Sequence, residues 1–183
     1  MKGNRSTPSL STFLDLAKRE LMNANDNRNY AFRTMVMSTK SDFTHSRMVI
    51  KRETNSDMSS FVYTDARSKK VEQLRKDDRC SLLFYDPANH FQVVVQGRCN
   101  IIDEGSLYLK HQKIALQNRK DYNAEKPSGT KIDLPYYQHG NYTYFSLLKI
   151  SPVAIELLKL GKLRHLRARY LADEDWSGTW LVP

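Results

Sequence analysis

The sequence predicts a mainly antiparallel β barrel with flanking helices, and three observations carry that prediction. Short runs rich in β-branched and aromatic residues recur along the chain with polar turns between them. Helical periodicity appears in only two or three segments, too few and too unevenly spaced for a doubly wound parallel sheet. The 183 residues suffice for one domain with a sizeable core and fall short of two ordinary ones, so residues 1–183 are read as a single domain.

Phe13, Leu14, Leu16, Ala17 and Leu21 fall at helical spacing, which predicts an amphipathic helix over 11–22 with Ser11 as N-cap and Asp15 in its first turn. The polar run 23–29 ends it, so residues 1–27 read as an N-terminal helix and linker. Residues 30–39 and 44–53 then form a hairpin about the turn Lys40-Ser41-Asp42, and 60–63 is a short third strand. Val71 and Leu74 set a helix over 67–77 that Thr64 or Asp65 could cap. Strands at 80–85 and 91–102 are joined by the turn Asp86-Pro87-Ala88-Asn89, and Leu107, Leu109, Ile114 and Ala115 predict a helix over 104–118. Residues 119–141, with Pro127, Gly129, Pro135 and Gly140, read as a long loop, which at that length is functional or mobile. Strands at 142–150, 153–160, 164–170 and 179–182 complete the chain.

Composition narrows the function. A net charge of +9 and a pI near 9.5 favour an anionic partner: nucleic acid, anionic lipid or a phosphorylated small molecule. No apolar run approaches the roughly 20 residues of a membrane span, and MKGNRSTPSL lacks the apolar stretch of a secretory signal. Cys80 and Cys99 fall inside strands and read as reduced core thiols, so the expected location is cytoplasmic. His45, His90, His111, His139 and His165 are scattered and no cysteine has zinc-ligand spacing, so no metal is expected. There is no GxSxG, and neither cysteine has a nearby histidine, which argues against a hydrolase. Tyr136, Tyr137, Tyr142 and Tyr144 among basic residues could stack bases, but no RNA- or DNA-binding motif appears, and no nucleic-acid partner is expected.

One constellation carries chemistry. Arg47, Lys51 and Arg52 interrupt an otherwise apolar strand, and Tyr63-Thr64 leads into a helix whose start holds Arg67, Ser68, Lys69 and Lys70. Cations at a helix N-terminus oppose the macrodipole and cost helix stability, whereas an anion bound there gains both the dipole and the free N–H groups. The pattern therefore predicts a phosphate site. Along 162–169, strand alternation sends His165, Arg167 and Arg169 to one face: a solvated face, part of an anionic-ligand site or, third, a nucleic-acid contact.

The strings Arg47-Met48-Val49-Ile50-Lys51-Arg52, Phe61-Val62-Tyr63-Thr64, Ser68-Lys69-Lys70, Leu82-Leu83-Phe84 and Gln92-Val93-Val94-Val95-Gln96-Gly97 occur in that order. Together they resemble the FMN-binding core of the pyridoxamine 5′-phosphate oxidase family, over about residues 28–103. Arg169-Tyr170, Trp176 and Leu181-Val182-Pro183 are similar to that family's closing hairpin. The resemblance implies a split β-barrel, an FMN-dependent oxidoreductase acting on a small molecule such as a vitamin phosphate, and a homodimer with FMN at the subunit interface. It implies Arg47, Lys69 and Lys70 at the FMN phosphate, with Ser68 beside them and Arg52 as the second strand cation. Tyr63 and Thr64 would follow the ribityl chain and ring, Gln92 would reach the flavin from the adjacent strand, and Arg169 would come from the second subunit. His165 and Arg167 would meet the substrate. Simple alternation puts Lys51 on the face of Arg47, and a β-bulge would deliver Arg52 instead. The family's Arg-Pro…Ser motif is missing from 118–140, its Arg-x-His pair reads His165-Leu166-Arg167, and its flavin-facing aromatic falls near Lys159. The stretches Phe145–Leu148 and Val153–Leu160 resemble the family's less-characterised relatives. These departures leave the substrate open, with a flavin-binding or sensing module of little turnover as the alternative and a basic nucleic-acid-binding barrel behind it.

Overall fold

In the computed structural model, which describes residues 7–183 apart from the side chain of Arg119, the elements follow the hydrophobic pattern closely. The first six residues of the N-terminal segment lie outside the described residues. The chain runs α1 (Leu10–Asn23), β1 (Thr34–Lys40), β2 (Thr44–Thr54), β3 (Ser60–Asp65), α2 (Lys69–Lys76), β4 (Arg79–Asp86), β5 (Phe91–Ile102), α3 (Gly105–Ala115), β6 (Phe145–Lys159), β7 (Leu166–Leu171) and β8 (Thr179–Leu181). All strand pairs are antiparallel, in the order β3-β2-β1-β4-β5-β6-β7-β8. A further pairing of β3 with β6 closes six strands into a barrel, and β7 and β8 continue the sheet beyond it. This is a split β-barrel.

Alternation on β1, β4 and β5 sends Met35, Met37, Leu82, Phe84, Val93 and Val95 inward, each fully or almost fully buried. α1 lays Phe13, Leu14, Ala17 and Leu21 over this core, and Phe13 stacks on Trp180 at 5.7 Å and meets Phe91 at 5.9 Å. The Tyr170 hydroxyl donates to the Leu10 carbonyl at 2.9 Å, tying α1 to the C-terminal hairpin. A second cluster of Phe61, Ala115, Tyr122, Phe145 and Leu147 lies under α3. Cys80 and Cys99 are buried free thiols, as expected of core residues.

Local chemistry moved several boundaries. α1 starts one residue earlier than its periodicity suggests: Ser9 is the N-cap, its Oγ accepting from the Thr12 N–H at 3.1 Å. Ser11 is therefore inside the helix and Asp15 lies beyond its first turn. Residues 31–33 form a 3₁₀ turn in place of the first turn of strand. Thr64 and Asp65 stay in β3, and Ser68, extended at φ −70° and ψ 149°, is the N-cap position of α2. The expected strands 142–150 and 153–160 are one strand, β6. Pro152 cannot donate to the ladder, and the chain absorbs it with a register shift in which Gln96 pairs with Ala154 and Gly97 with Pro152. Gly97 fits because a Cβ there would stand 2.6 Å from the Ser151 carbonyl oxygen.

The long loop is a built structure. A 3₁₀ segment covers 116–121, and an isolated bridge joins Ala124 to His139. Asn123 and Gly140 exchange two hydrogen bonds, the Glu125 N–H donates to the Gln138 carbonyl, and the Tyr144 N–H donates to the Tyr122 carbonyl at 2.8 Å.

Candidate cofactor cleft

β2 and β3 run side by side into the start of α2, and the loop 121–128 faces them. Between them lies an open cleft of about 420 Å³. Arg47, Met48, Ile50 and Arg52 of β2 line one side, with Tyr63, Thr64 and Lys70 beyond them. Asp121, Tyr122 and Ser128 form the loop wall.

The neighbouring cations Lys51 and Arg52 part company here. The β2–β3 register shifts between Lys51 and Glu53, and this bulge puts Arg52 at the cleft. Lys51 keeps the phase of Arg47 but turns into the protein, fully buried, with its Nζ donating to Asn25 Oδ1 at 2.6 Å. Burial and the Arg33 cation push the Lys51 amine down to about 8.

Arg47 is held by neutral partners: Nη1 donates to Thr39 Oγ1 at 2.6 Å and the Met37 carbonyl at 3.3 Å, and Nη2 donates to Gln73 Oε1 at 3.1 Å. Lys70 Nζ donates to Thr64 Oγ1 at 2.9 Å. Arg52 donates from Nη2 to the Tyr122 hydroxyl at 3.2 Å, and its guanidinium carbon lies 4.9 Å from the centroid of the Tyr63 ring. Among the described residues, none of these three cations makes an ion pair, and the buried Nε of Arg52 has no hydrogen-bond partner. Burial lowers the pKa of Arg47, and burial together with Arg47 lowers that of Lys70. Gathering three cations without a carboxylate partner is unfavourable until an anion joins them.

Of the two acids that line the cleft, Asp65 and Asp121, the first is already paired. Asp65 Oδ2 takes Arg67 Nη2 at 2.7 Å and Oδ1 takes Arg67 Nε at 3.1 Å, a bidentate pair that raises the pKa of the arginine. Arg67 is thus diverted from the phosphate cluster that the sequence suggested. The Tyr63 hydroxyl shares a 2.8 Å hydrogen bond with Nδ1 of the buried His111, and burial pushes its phenol up to about 12.

Of the residues expected at a cofactor, Arg47, Arg52, Tyr63, Thr64 and Lys70 meet in this cleft. Ser68 is buried beside it, 3.3 Å from Thr64 Oγ1, whereas Lys69 is exposed on α2. Gln92 does not reach the cleft from within the chain: it pairs with Tyr85 and Leu158 on the outer sheet face. Arg169 lies farther along that face, in a hollow with Val94, Gln96 and Glu156. Arg167 is ion-paired with Glu156 at 2.7 Å, and His165, exposed ahead of β7, accepts from the Gly161 N–H at 3.3 Å. Sequence reasoning missed Thr39 and Gln73, which aim Arg47, and Tyr122 and Ser128 in the loop wall. The usable signal was Gln73, one helical turn after Lys70 on the apolar side of α2.

The donor set fits an FMN. The unpaired cations Arg47 and Lys70 beside the start of a helix suit a phosphate, the orphaned guanidinium N–H of Arg52 suits an acceptor on the ring or ribityl chain, and Tyr63 and Ile50 offer ring-sized surface. Among the described residues no cluster of metal-ligating side chains occurs.

Comparisons with known proteins point the same way. No curated protein matches the sequence. A pyridoxamine 5′-phosphate oxidase-related FMN-binding protein from Nostoc punctiforme PCC 73102 is similar in fold at 20% identity and a TM-score of 0.71, covering 96% of this chain and 100% of its own. PhzG from Burkholderia lata 383, solved with tetrahydrophenazine-1-carboxylic acid, aligns at 17% identity and a TM-score of 0.74, covering 98% of each chain. A heme-binding protein from Mycobacterium smegmatis is similar in fold at 13% identity and a TM-score of 0.53, covering 88% of this chain and 58% of its own. Residues 3–103, more than half of the chain and the stretch that supplies every side of the cleft but its loop wall, match the family described as pyridoxamine 5′-phosphate oxidase, FMN-binding domain, and the chain belongs to that family.

Proposed function

We propose that the protein is an FMN-dependent oxidoreductase that exchanges a hydride or electron pair with a small substrate. The observation that carries this reading is the set of three unpaired cations, Arg47, Arg52 and Lys70, in one cleft with an orphaned Arg52 Nε. When bound, the flavin supplies the redox chemistry, accepting and releasing electron pairs. The chain's share is binding and orientation. Arg47 and Lys70, pre-aimed by Thr39, Gln73 and Thr64, take the phosphate, with Ser68 and Lys69 at the edge of that subsite. Arg52 and Tyr63 take the ring end, where a fixed positive charge favours an electron-rich flavin.

The complete site takes two copies of the chain. One row of paired residues, Met48, Val36, Leu83, Val94, Glu156 and Arg169, crosses the outer face from β2 at the cleft to β7. Met48, Ile50 and Tyr85 are exposed on this face, at 64%, 45% and 47%, an unusual outlay of apolar surface for a strand face. A two-fold partner seated there would bring Gln92 and Arg169 to the cofactor and His165 and Arg167 to the substrate. Cytoplasmic location is consistent with the two reduced thiols.

The test is the visible spectrum of purified protein titrated with FMN, repeated on Arg47→Ala and Lys70→Ala, with light scattering for oligomeric state. The expected result is oxidised-flavin bands and a dimer, with FMN affinity about 10- to 100-fold weaker in each variant, the range for losing one charge-assisted hydrogen bond. A wild type that binds no FMN overturns the reading. Tight FMN binding without turnover on pyridoxamine phosphate or other donors would make the protein a flavin-binding module instead.

A further inference from the structure

Arg67 has a site of its own making. It follows Asp65 by two residues, and its own backbone N–H donates to Asp65 Oδ1 at 2.8 Å, which fixes the start of the turn. Its guanidinium is then shared between that carboxylate and the loop: Nη1 donates to the Glu125 carbonyl at 3.0 Å and Nη2 to the Ala124 carbonyl at 2.7 Å. The flat face of the same group lies 3.2 Å from the centroid of the Tyr144 ring. Three strands of chain are thus pinned by one side chain: the β3–α2 turn, the outgoing arm of the loop at 124–125, and its returning arm at Tyr144. The Ala66 N–H donating to the Tyr144 carbonyl at 2.7 Å closes the same junction from the backbone side.

We propose that Arg67 is a positioning residue that clamps the 122–144 loop to the β3–α2 turn, making the loop a preset wall of the cofactor cleft. The consequence for the site is direct, because Asp121, Tyr122 and Ser128 line the cleft, and Asp121 and Ser128 also line a second hollow formed by 124–137. The clamp also cancels the charge of Asp65, which would otherwise face an anionic ligand. Lysine cannot substitute: it keeps the charge but has neither the planar fork that reaches a carboxylate and two carbonyls together nor a face to stack on Tyr144.

This inference rests on the flavin reading for its second measurement and stands apart from it for the first. In wild type, Arg67→Lys and Tyr144→Leu, amide hydrogen exchange is followed at Glu125, Gly140 and Tyr144, whose N–H groups are bonded within the loop. The expected result is exchange at least about tenfold faster in both variants at these amides, with the barrel amides unchanged. On the holoproteins, iodide quenching of the bound FMN should rise several-fold in Arg67→Lys. Unchanged exchange, or faster exchange with unchanged quenching, overturns the proposal. Failure of the wild type to bind FMN overturns the flavin reading, and the exchange arm still decides whether Arg67 clamps the loop.

Discussion

Lys51 offers a sharp test of how the bulge in β2 sorts the two adjacent cations. Its side chain is fully buried, with Asn25 Oδ1 as acceptor, and Asn25 Oδ1 also takes the Thr54 N–H at 2.8 Å. Burial first, and the Arg33 cation second, bring its pKa from 10.5 to about 8. In the unfolded chain the amine titrates near its ordinary value, so between pH 8 and 10.5 the folded state holds fewer protons than the unfolded state. Below pH 8 the folded protein carries the full cost of a buried charge, about 3 kcal/mol at about 1.4 kcal/mol per pH unit, and that cost fades as pH rises to 10.5. Lys51→Met keeps the volume and removes the charge. It loses one hydrogen bond, about 1 kcal/mol net, while Asn25 keeps Thr54. The variant should therefore be about 2 kcal/mol more stable than wild type at pH 7, with the difference falling by about 3 kcal/mol on the way to pH 10.5. Urea denaturation of both proteins across pH 7 to 10.5 measures it, and taking the difference cancels the tyrosines that titrate in the same range. Parallel stability curves would refute the argument, since they would mean that Lys51 titrates alike folded and unfolded.

Other expectations follow from the same geometry. Lys51→Met should leave FMN affinity within about twofold of wild type, whereas Arg52→Met should weaken it about tenfold or more, the cost of one charge-assisted contact; equal effects in a flavin titration would show that the bulge does not separate the pair. Phe13→Ala should cost about 3–5 kcal/mol in urea unfolding, because it empties the space between α1, Phe91 and Trp180. A loss below about 1 kcal/mol would mean that α1 is not seated on the barrel core. Cys80, whose thiol burial pushes up to about 12, and Cys99, pushed higher still, should resist a thiol reagent at pH 8 until the protein unfolds. Rapid labelling of either in the native state would contradict their packing.

What the sequence determined by itself was the barrel and two of the cations that line the cleft. Period-two runs such as Phe91–Ile102 locate strands because each strand must bury one face, and that demand is written in consecutive residues. The cations Arg47 and Lys70 were legible for a similar reason: a charge inside an apolar strand, or at the wrong end of a helix, is a local cost that stands out without coordinates. The tertiary structure alone decided the rest. Whether Lys51 or Arg52 meets the cleft depends on one register shift against its hairpin partner β3, which the alternation of neither strand alone reveals. The union of the two predicted strands into β6 depends on a bulge opposite Gly97, which lets a proline sit in a long strand. Arg67, read as a phosphate cation beside Lys69 and Lys70, is drawn away by a carboxylate two residues before it and by carbonyls nearly sixty residues on. Arg169 is a strand residue whose face alternation predicted and Gln92 one that the family resemblance put at the flavin, yet the distance between their sheet face and the cleft belongs to barrel closure. Local pattern fixes which side of an element a residue takes, and only the long-range pairing of elements, which no short window of sequence encodes, fixes what stands opposite it.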